Sequence, residues 1–164
     1  MTLAESIEQF RQHQLAQNRS ANTIESYQRE LGRLRRFVGD DTNIADIASA
    51  ELDRFINSDL TQLKSDGKKR TPGSIANTKA ALNAFFKWLQ SRGQISSNPS
   101  VNILTARHRS IPVFLTKDES KSLLKAIKEN RGWQAERDFI AVNIILHTGI
   151  RLSELIGIDV EDVD

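Results

Sequence analysis

The stretch HTGIRLSEL, residues 147–155, places a single arginine shortly after a glycine that ends a very apolar run. Gly149 is expected to take the positive φ that stops the apolar helix before it. Arg151 then lies at or near the start of a short helix, where a guanidinium beside free N–H groups can bind a phosphate. In the alternative interpretation, Arg151 forms an ion pair with Glu154, three residues later, and binds no ligand. The spacing alone leaves both interpretations open.

A second set of cations lies on one predicted helix. Arg29, Arg33 and Arg36 recur at i, i+4 and i+7, so they share a face opposite an apolar stripe. We call these three residues the basic ridge. It could follow a phosphate backbone, or it could be an ordinary solvated helix face.

Further polar and charged residues add to the basic ridge. The full set of predicted DNA-contacting residues is Arg29, Arg33, Arg36, Lys68, Lys69, Arg70, Asn83, Lys87, Arg107 and Arg109, and His108 lies between the last two. Cations on the surface of a helical bundle and in a linker are typical of a protein that wraps around DNA. With the whole set counted, the DNA-binding and the solvated-surface interpretations are about equally supported.

Charge is distributed unevenly along the 164 residues. Residues 1–109 contain 16 Lys and Arg against 11 Asp and Glu, whereas residues 110–164 contain 7 against 10. The basic excess of the first part favours an anionic partner. Lysines of the second part alternate with acidic residues, and we interpret them as a solvated surface.

Several classes of site are excluded or disfavoured by composition. The chain has no cysteine, which excludes a disulfide framework and thiolate metal sites. Its three histidines are far apart in sequence and show no ligand spacing, so a structural metal is not expected. No carboxylate pair, serine–histidine set or glycine-rich phosphate loop has useful spacing. No apolar run reaches membrane-spanning length and no signal peptide is recognisable, so we expect a cytoplasmic protein.

Aromatic residues are interpreted as packing residues. Tyr27 is the only tyrosine, and it falls on the apolar stripe of its helix, which favours core packing over catalysis. Trp88 and Trp133 are likewise expected to pack rather than to stack on bases.

Periodic apolar residues predict an all-α chain. Four helices, over 2–16, 20–38, 49–63 and from Pro72 to a stop at Gly93, form a compact bundle. The predicted domains are this bundle over 1–93, a linker over 94–110 and a second unit over 111–164. A fifth helix begins after Thr116, and a sixth covers 135–149.

The sixth helix is apolar almost all round, which is typical of a helix inside a larger domain. Only eighteen residues follow Leu146, too few to cover it. We therefore expect the second unit to be incomplete, and we favour a fragment over burial against a partner chain.

Four segments together resemble a known family. HTGIRLSELIGIDVEDVD resembles the segment around the first catalytic arginine of the tyrosine recombinases, the phage-integrase and Xer-type site-specific recombinases. The matching positions there are Thr148, Gly149, Ile150, Arg151, Glu154 and Leu155. Three more segments resemble the family in the same order and extend the likeness over essentially the whole chain: SANTIESYQRELGRLRRFV, NTKAALNAFFKWLQSRGQISSNPS and IPVFLTKDESKSLLKAI.

This resemblance implies a fold and a mechanism. The first domain would be the SAM-like core-binding bundle, and the second would be the mainly helical N-terminal part of the catalytic domain. Such enzymes cut one DNA strand with a tyrosine, hold a 3′-phosphotyrosine and rejoin it to another strand, with no metal or nucleotide. Arg151 would bind the scissile phosphate and Glu154 would support it. The implied partner is double-stranded DNA, held by a homo-tetramer of the full-length protein at the bacterial nucleoid.

The chain also departs from the family pattern. The family's catalytic lysine, its histidine–arginine motif and its nucleophilic tyrosine would follow Asp164, and Tyr27 lies in the wrong domain to replace the nucleophile. We therefore expect this chain to bind DNA without cutting it. The first helix begins almost at Met1, which resembles the simpler Xer-like enzymes without an arm-binding domain. The alternatives are a complete, non-catalytic DNA-binding regulator and a helical interaction module without nucleic acid.

Overall fold

A computed structural model describes residues 1–103, 113–130 and 132–162. The described residues form α-helices and short 3-10 turns joined by loops, and none of them belongs to a β-sheet. Contacts between Cα atoms divide the chain into two compact units, Met1–Arg109 and Ser110–Asp164. In the part that the structure describes, no helix combines the length and the apolar character needed to cross a membrane.

The helices of the first unit begin where the sequence offers capping side chains. The helices are α1 (Leu3–Ala16), α2 (Ala21–Val38), α3 (Ser49–Asn57), α4 (Asp59–Gln62) and α5 (Pro72–Ser91), with a 3-10 turn at Ile44–Asp46. Thr2 and Glu5 form the predicted capping box, and the Ser20 and Thr71 hydroxyls accept hydrogen bonds from backbone N–H groups three residues later.

The prediction of one continuous third helix over 49–63 is wrong. Ser58 is extended, with φ −76° and ψ 160°, and it separates α3 from α4. Its hydroxyl donates a 2.6 Å hydrogen bond to the Phe55 carbonyl, while its own carbonyl accepts from the Thr61 N–H. A serine that bonds to local backbone groups ends one helix and starts the next.

Aromatic rings fill the core of the first unit. Phe10 lies 5.5 Å from Phe85, 5.6 Å from Tyr27 and 5.3 Å from Trp88, measured between ring centroids. Tyr27 and Trp88 are therefore packing residues, as predicted.

The core of the first unit also extends beyond α5. Ile95 and Ile103 are buried in the same cluster as the aromatic rings. In addition, the Ser49 hydroxyl donates a 2.8 Å hydrogen bond to the Pro99 carbonyl. Residues 94–103, predicted as the beginning of the linker, thus pack on the first unit, because their isoleucines have apolar surface to bury.

The second unit contains α6 (Lys117–Glu129), α7 (Ala135–Thr148), α8 (Leu152–Ile156) and a 3-10 turn at Val160–Asp162. Gly149 ends α7 with φ 70°, as predicted. None of the described residues on α6, α7 or α8 is buried. The expectation that Trp133 packs is wrong for the described residues, since Trp133 is 87% exposed.

Candidate nucleic-acid interface

A buried carboxylate lies next to the basic ridge. The side chain of Glu30, on α2, is only 4% exposed. Nη1 of Arg33 donates to its two oxygens at 2.9 and 2.7 Å, and Nη2 of Arg70 donates to both at 3.2 and 3.1 Å. The Thr78 hydroxyl adds a 2.7 Å hydrogen bond. The carboxylate is thus fully surrounded by donors, as a buried charge requires.

Arg70 is a structural residue and not a surface cation. Its side chain is 6% exposed. Besides Glu30, it donates to the Thr61 carbonyl, the Thr78 hydroxyl and the Ser74 carbonyl at 3.0 to 3.1 Å. This corrects the prediction of Arg70 as a DNA contact, because moving the guanidinium to a phosphate would leave Glu30 and these acceptors without it.

The surroundings of Glu30 lower the pKa of its carboxyl group. Burial raises its pKa, but the hydrogen bond from Thr78 and the charges of Arg70 and Arg33 outweigh burial and hold the pKa below its usual range. Sequence reasoning missed this residue, although a signal existed. Glu30 lies three residues after Tyr27 and four before Leu34, which is the spacing of the buried stripe.

The three arginines of the basic ridge differ in exposure. Arg33 is only 20% exposed because it binds Glu30. Arg29 is 61% exposed and keeps its Nε 3.6 Å from Glu30. Arg36 is exposed, and its Nε donates to the Gly32 carbonyl at 3.3 Å. Two of the three predicted cations, Arg29 and Arg36, are therefore exposed to solvent, and Arg29 also pairs with Glu30.

A lysine that the sequence analysis missed adjoins the basic ridge. Lys64 lines a groove of about 320 Å³ together with Arg33 and Arg36, and Asp59 adds one negative charge there. A turn holds Lys64 in place, since its N–H donates to the Lys68 carbonyl at 2.8 Å. Gly67 permits this turn with φ 76°.

The same turn positions two predicted lysines. Leu63 and Lys69 form an antiparallel bridge, which brings Lys68 and Lys69 opposite the chain that carries Lys64. Lys69 is exposed, and Lys68 is exposed with its Nζ 3.6 Å from Asp66. The Asp-Gly pair within LKSDGKK was the local signal for this turn.

The remaining predicted contacts differ in accessibility. Lys87 on α5 is exposed and makes no ion pair with another described residue. Asn83 is half-buried, and its Nδ2 donates to the Ile103 carbonyl at 3.4 Å, so it helps to hold the end of the first unit. Arg107, His108 and Arg109 lie outside the described residues.

Arg151 makes the ion pair that the sequence offered as the alternative to phosphate binding. Its Nη1 donates to Glu154 at 2.8 Å, and its backbone N–H donates to the other carboxylate oxygen at 2.9 Å. These hydrogen bonds lower the pKa of Glu154. The Arg151 side chain remains 81% exposed, and Nε and Nη2 have no partner among the described residues. Part of the guanidinium is therefore still open to a ligand.

Among the residues that the structure describes, no three histidine, aspartate or glutamate side chains come together as a metal site.

Comparison with known proteins identifies relatives along the chain. Residues 7–93 match the family described as "Phage integrase, N-terminal SAM-like domain". The tyrosine recombinase XerC of Caldanaerobacter subterraneus subsp. tengcongensis is 32% identical over 165 residues, which cover 88% of this chain and 45% of that protein. The XerC of Mycobacterium sp. (strain JLS) is 33% identical, with 92% of this chain and 50% of that protein covered. The chain thus spans about half the length of these curated relatives.

Solved structures show the same fold. A lambda integrase (75-356) dimer bound to a COC′ core site matches 100% of this chain and 56% of its own, with TM-score 0.76 and 20% identity. The Tn1549 transposon integrase in complex with circular intermediate DNA matches 100% of this chain and 51% of its own, with TM-score 0.73 and 24% identity. The family match over residues 7–93, together with the XerC relatives, shows that the chain belongs to the tyrosine recombinase family of phage integrases and Xer proteins.

Proposed function

We propose that this chain is the DNA-binding portion of a site-specific tyrosine recombinase. Its first unit would hold double-stranded DNA by contacts to phosphates. The proposed contacts are Arg29, Arg36, Lys64, Lys68, Lys69 and Lys87, with Arg33 contributing from its partly buried position. Two solved relatives are described as bound to a core site and to circular intermediate DNA, which supports the same kind of ligand here.

The observation that carries this proposal is the sequestration of Glu30. Without the buried network, the carboxylate would lie beside the basic ridge and cancel part of its charge. Arg33 and Arg70 pair with it at hydrogen-bond distance in the interior, Arg29 pairs with it more loosely at 3.6 Å, and the side chains of Arg29 and Arg36 remain exposed. Exposed cations on one helix and an adjacent turn are suited to phosphates, whose neutralisation releases counterions.

Any catalytic role would belong to a longer protein that carries this chain. There, Arg151 would bind the non-bridging oxygens of the scissile phosphate through the N–H groups that Glu154 leaves open, and Glu154 would hold the guanidinium in position. A cation at that place stabilises the charge that grows in the transition state. The full-length protein would cut and rejoin DNA through a 3′-phosphotyrosine, assemble as a tetramer on DNA and act at the nucleoid.

Binding of the 164-residue chain to a random-sequence 30-base-pair duplex, measured over a salt series, tests the proposal. We expect affinity that falls steeply as salt rises, by about 0.9 logarithmic units per neutralised phosphate for each tenfold change in salt. Absence of binding at low salt would overturn the proposal and favour a helical interaction module.

A further inference from the structure

A buried carboxylate fixes one end of a guanidinium that belongs to the basic ridge. We propose that Glu30 is a positioning residue for DNA binding, which holds Arg33 in the orientation in which its free N–H groups bind a phosphate. The inference rests on the proposed function, because it names the residue that orders one of the proposed phosphate contacts. It assigns to the carboxylate a part in binding that its charge alone would oppose.

Two short hydrogen bonds hold Arg33. Its Nη1 donates to both carboxylate oxygens of Glu30, at 2.9 and 2.7 Å. Arg29 has a looser contact, since its Nε lies 3.6 Å from the same carboxylate. Arg36 makes one longer bond, from Nε to the Gly32 carbonyl at 3.3 Å. Arg33 is thus the arginine of the basic ridge whose guanidinium is most firmly ordered before a ligand binds.

The carboxylate that anchors Arg33 is itself fixed. The Glu30 side chain is 4% exposed, and Arg70 donates to both of its oxygens at 3.2 and 3.1 Å. The Thr78 hydroxyl, on α5, donates a further hydrogen bond at 2.7 Å. A movement of the carboxylate toward the surface would break the bonds to Arg70 and Thr78. Arg33 is therefore attached to a point between α2 and α5 rather than to a surface side chain.

The rest of the Arg33 guanidinium is left for a ligand. Nε and Nη2 have no hydrogen-bond partner among the residues that the structure describes, and the side chain is 20% exposed. The same side chain lines the groove of about 320 Å³ that Arg36 and Lys64 also line. Two adjacent guanidinium N–H groups match two oxygens of a phosphate. One edge of Arg33 can therefore stay on Glu30 while the other edge binds DNA.

Two effects of Glu30 on DNA binding have opposite signs. Its negative charge subtracts from the charge of the basic ridge and weakens the attraction for phosphates. Its hydrogen bonds to Arg33 strengthen binding, because an unanchored arginine loses rotamer freedom on contact with DNA, whereas Arg33 has already lost it on folding. We expect positioning to outweigh charge, since two arginines already pair with the buried carboxylate.

Removal of the negative charge separates the two effects. Glu30→Gln and the control Glu25→Gln are compared with the wild-type 164-residue chain on one random-sequence duplex over a salt series, and circular dichroism checks that each variant is folded. Glu25 is an exposed carboxylate on the same helix. We expect Glu30→Gln to bind about tenfold more weakly, with a slope of log affinity against log salt that is shallower by about 1, because Arg33 loses its orientation. Glu25→Gln should bind as tightly as the wild-type chain or more tightly.

A second background shows whether Glu30 acts through Arg33. Glu30→Gln is repeated in Arg33→Ala, where affinity should not fall further, whereas a merely structural role would lower affinity in both backgrounds. Wild-type or tighter binding by Glu30→Gln, or an equal loss in both backgrounds, would overturn the inference and leave DNA binding intact. Absence of binding by the wild-type chain would overturn the inference and the proposed function together.

Arg33→Lys gives a test that does not depend on the stability of Glu30→Gln. A lysine keeps the charge and can pair with Glu30, but it presents no forked pair of donors to a phosphate, so binding should weaken by about tenfold. Arg11→Lys is the control, because Arg11 donates to Glu8 at 2.9 Å with the same three-residue spacing but on the surface. Its affinity should stay within about twofold of the wild-type value. Wild-type affinity in Arg33→Lys would overturn the positioning role of Glu30.

Discussion

Arg70 donates from Nη2 to both carboxylate oxygens of Glu30, at 3.2 and 3.1 Å, across forty residues of sequence. Both side chains are buried. The pair joins the loop before α5 to the middle of α2, and it therefore helps to hold α2, which carries the basic ridge, against α5. Lys69, the neighbouring residue in the chain, is exposed instead.

Removal of Arg70 should destabilise the first unit. Arg70→Ala leaves the Glu30 carboxylate buried with fewer donors, and breaking one side of a buried ion pair costs about 3–5 kcal/mol. Lys69→Ala is the matched control, with an expected change within about 0.5 kcal/mol. Urea unfolding at pH 7 gives both values. Equal stability of the two variants would contradict a structural role for Arg70.

Glu30 should make stability depend on pH in acid. Its pKa is lower in the folded chain than in the unfolded chain, so its stabilising contribution is complete above the unfolded value of about 4.3 and is lost as pH falls through the folded value. Glu30→Gln removes this titration. The difference in unfolding free energy between the wild-type chain and Glu30→Gln should therefore shrink as pH falls below about 4.3. A difference that is constant from pH 7 to pH 2 would contradict the assignment.

Lys64 should contribute to DNA binding although it was not predicted from the sequence. Lys64→Ala removes one cation from the groove that it shares with Arg33 and Arg36. The slope of log affinity against log salt should become shallower by about 1. Lys125→Ala is the charge-matched control, because Lys125 lies on α6 and pairs with Glu129 at 3.7 Å. The same change of slope in both variants would count against a specific contact at Lys64.

Arg151 should matter for cleavage more than for binding. In a recombinase that carries this chain together with a nucleophilic tyrosine, Arg151→Lys loses the forked contact with the scissile phosphate. We expect strand cleavage on a suicide substrate to fall by about 10²- to 10³-fold, while DNA affinity changes by less than about threefold. Cleavage at the wild-type rate would remove Arg151 from the proposed catalytic site.

Local signals in the sequence predicted local features of the fold well. The capping boxes at Thr2 and Thr116 and the left-handed glycine at Gly149 each depend on residues within one turn, and the structure confirms all three. The break at Ser58 was missed although its hydrogen bonds are local, because the apolar spacing continues across it and outweighed the serine.

Long-range pairings explain the main errors about the candidate site. Arg70 has the same sequence neighbourhood as the two exposed lysines before it, and its burial depends on partners elsewhere in the fold, among them Glu30 on α2 and the Thr61 carbonyl. Lys64 becomes part of the interface because a turn and a groove place it beside α2. Charge patterns along a sequence can therefore predict a basic surface, but they do not separate ligand-binding cations from those that pair in the interior.

The most direct test compares two double variants of the 164-residue chain in the same salt series on one duplex. Arg29→Ala with Arg36→Ala removes the exposed part of the basic ridge. Arg11→Ala with Arg54→Ala removes the same charge from α1 and α3, where both arginines form surface ion pairs. We predict that the slope of log affinity against log salt becomes shallower by about 2 in the ridge variant, whereas the control keeps the wild-type slope. Equal slopes for the two double variants would contradict the assignment of the basic ridge as the phosphate-binding surface.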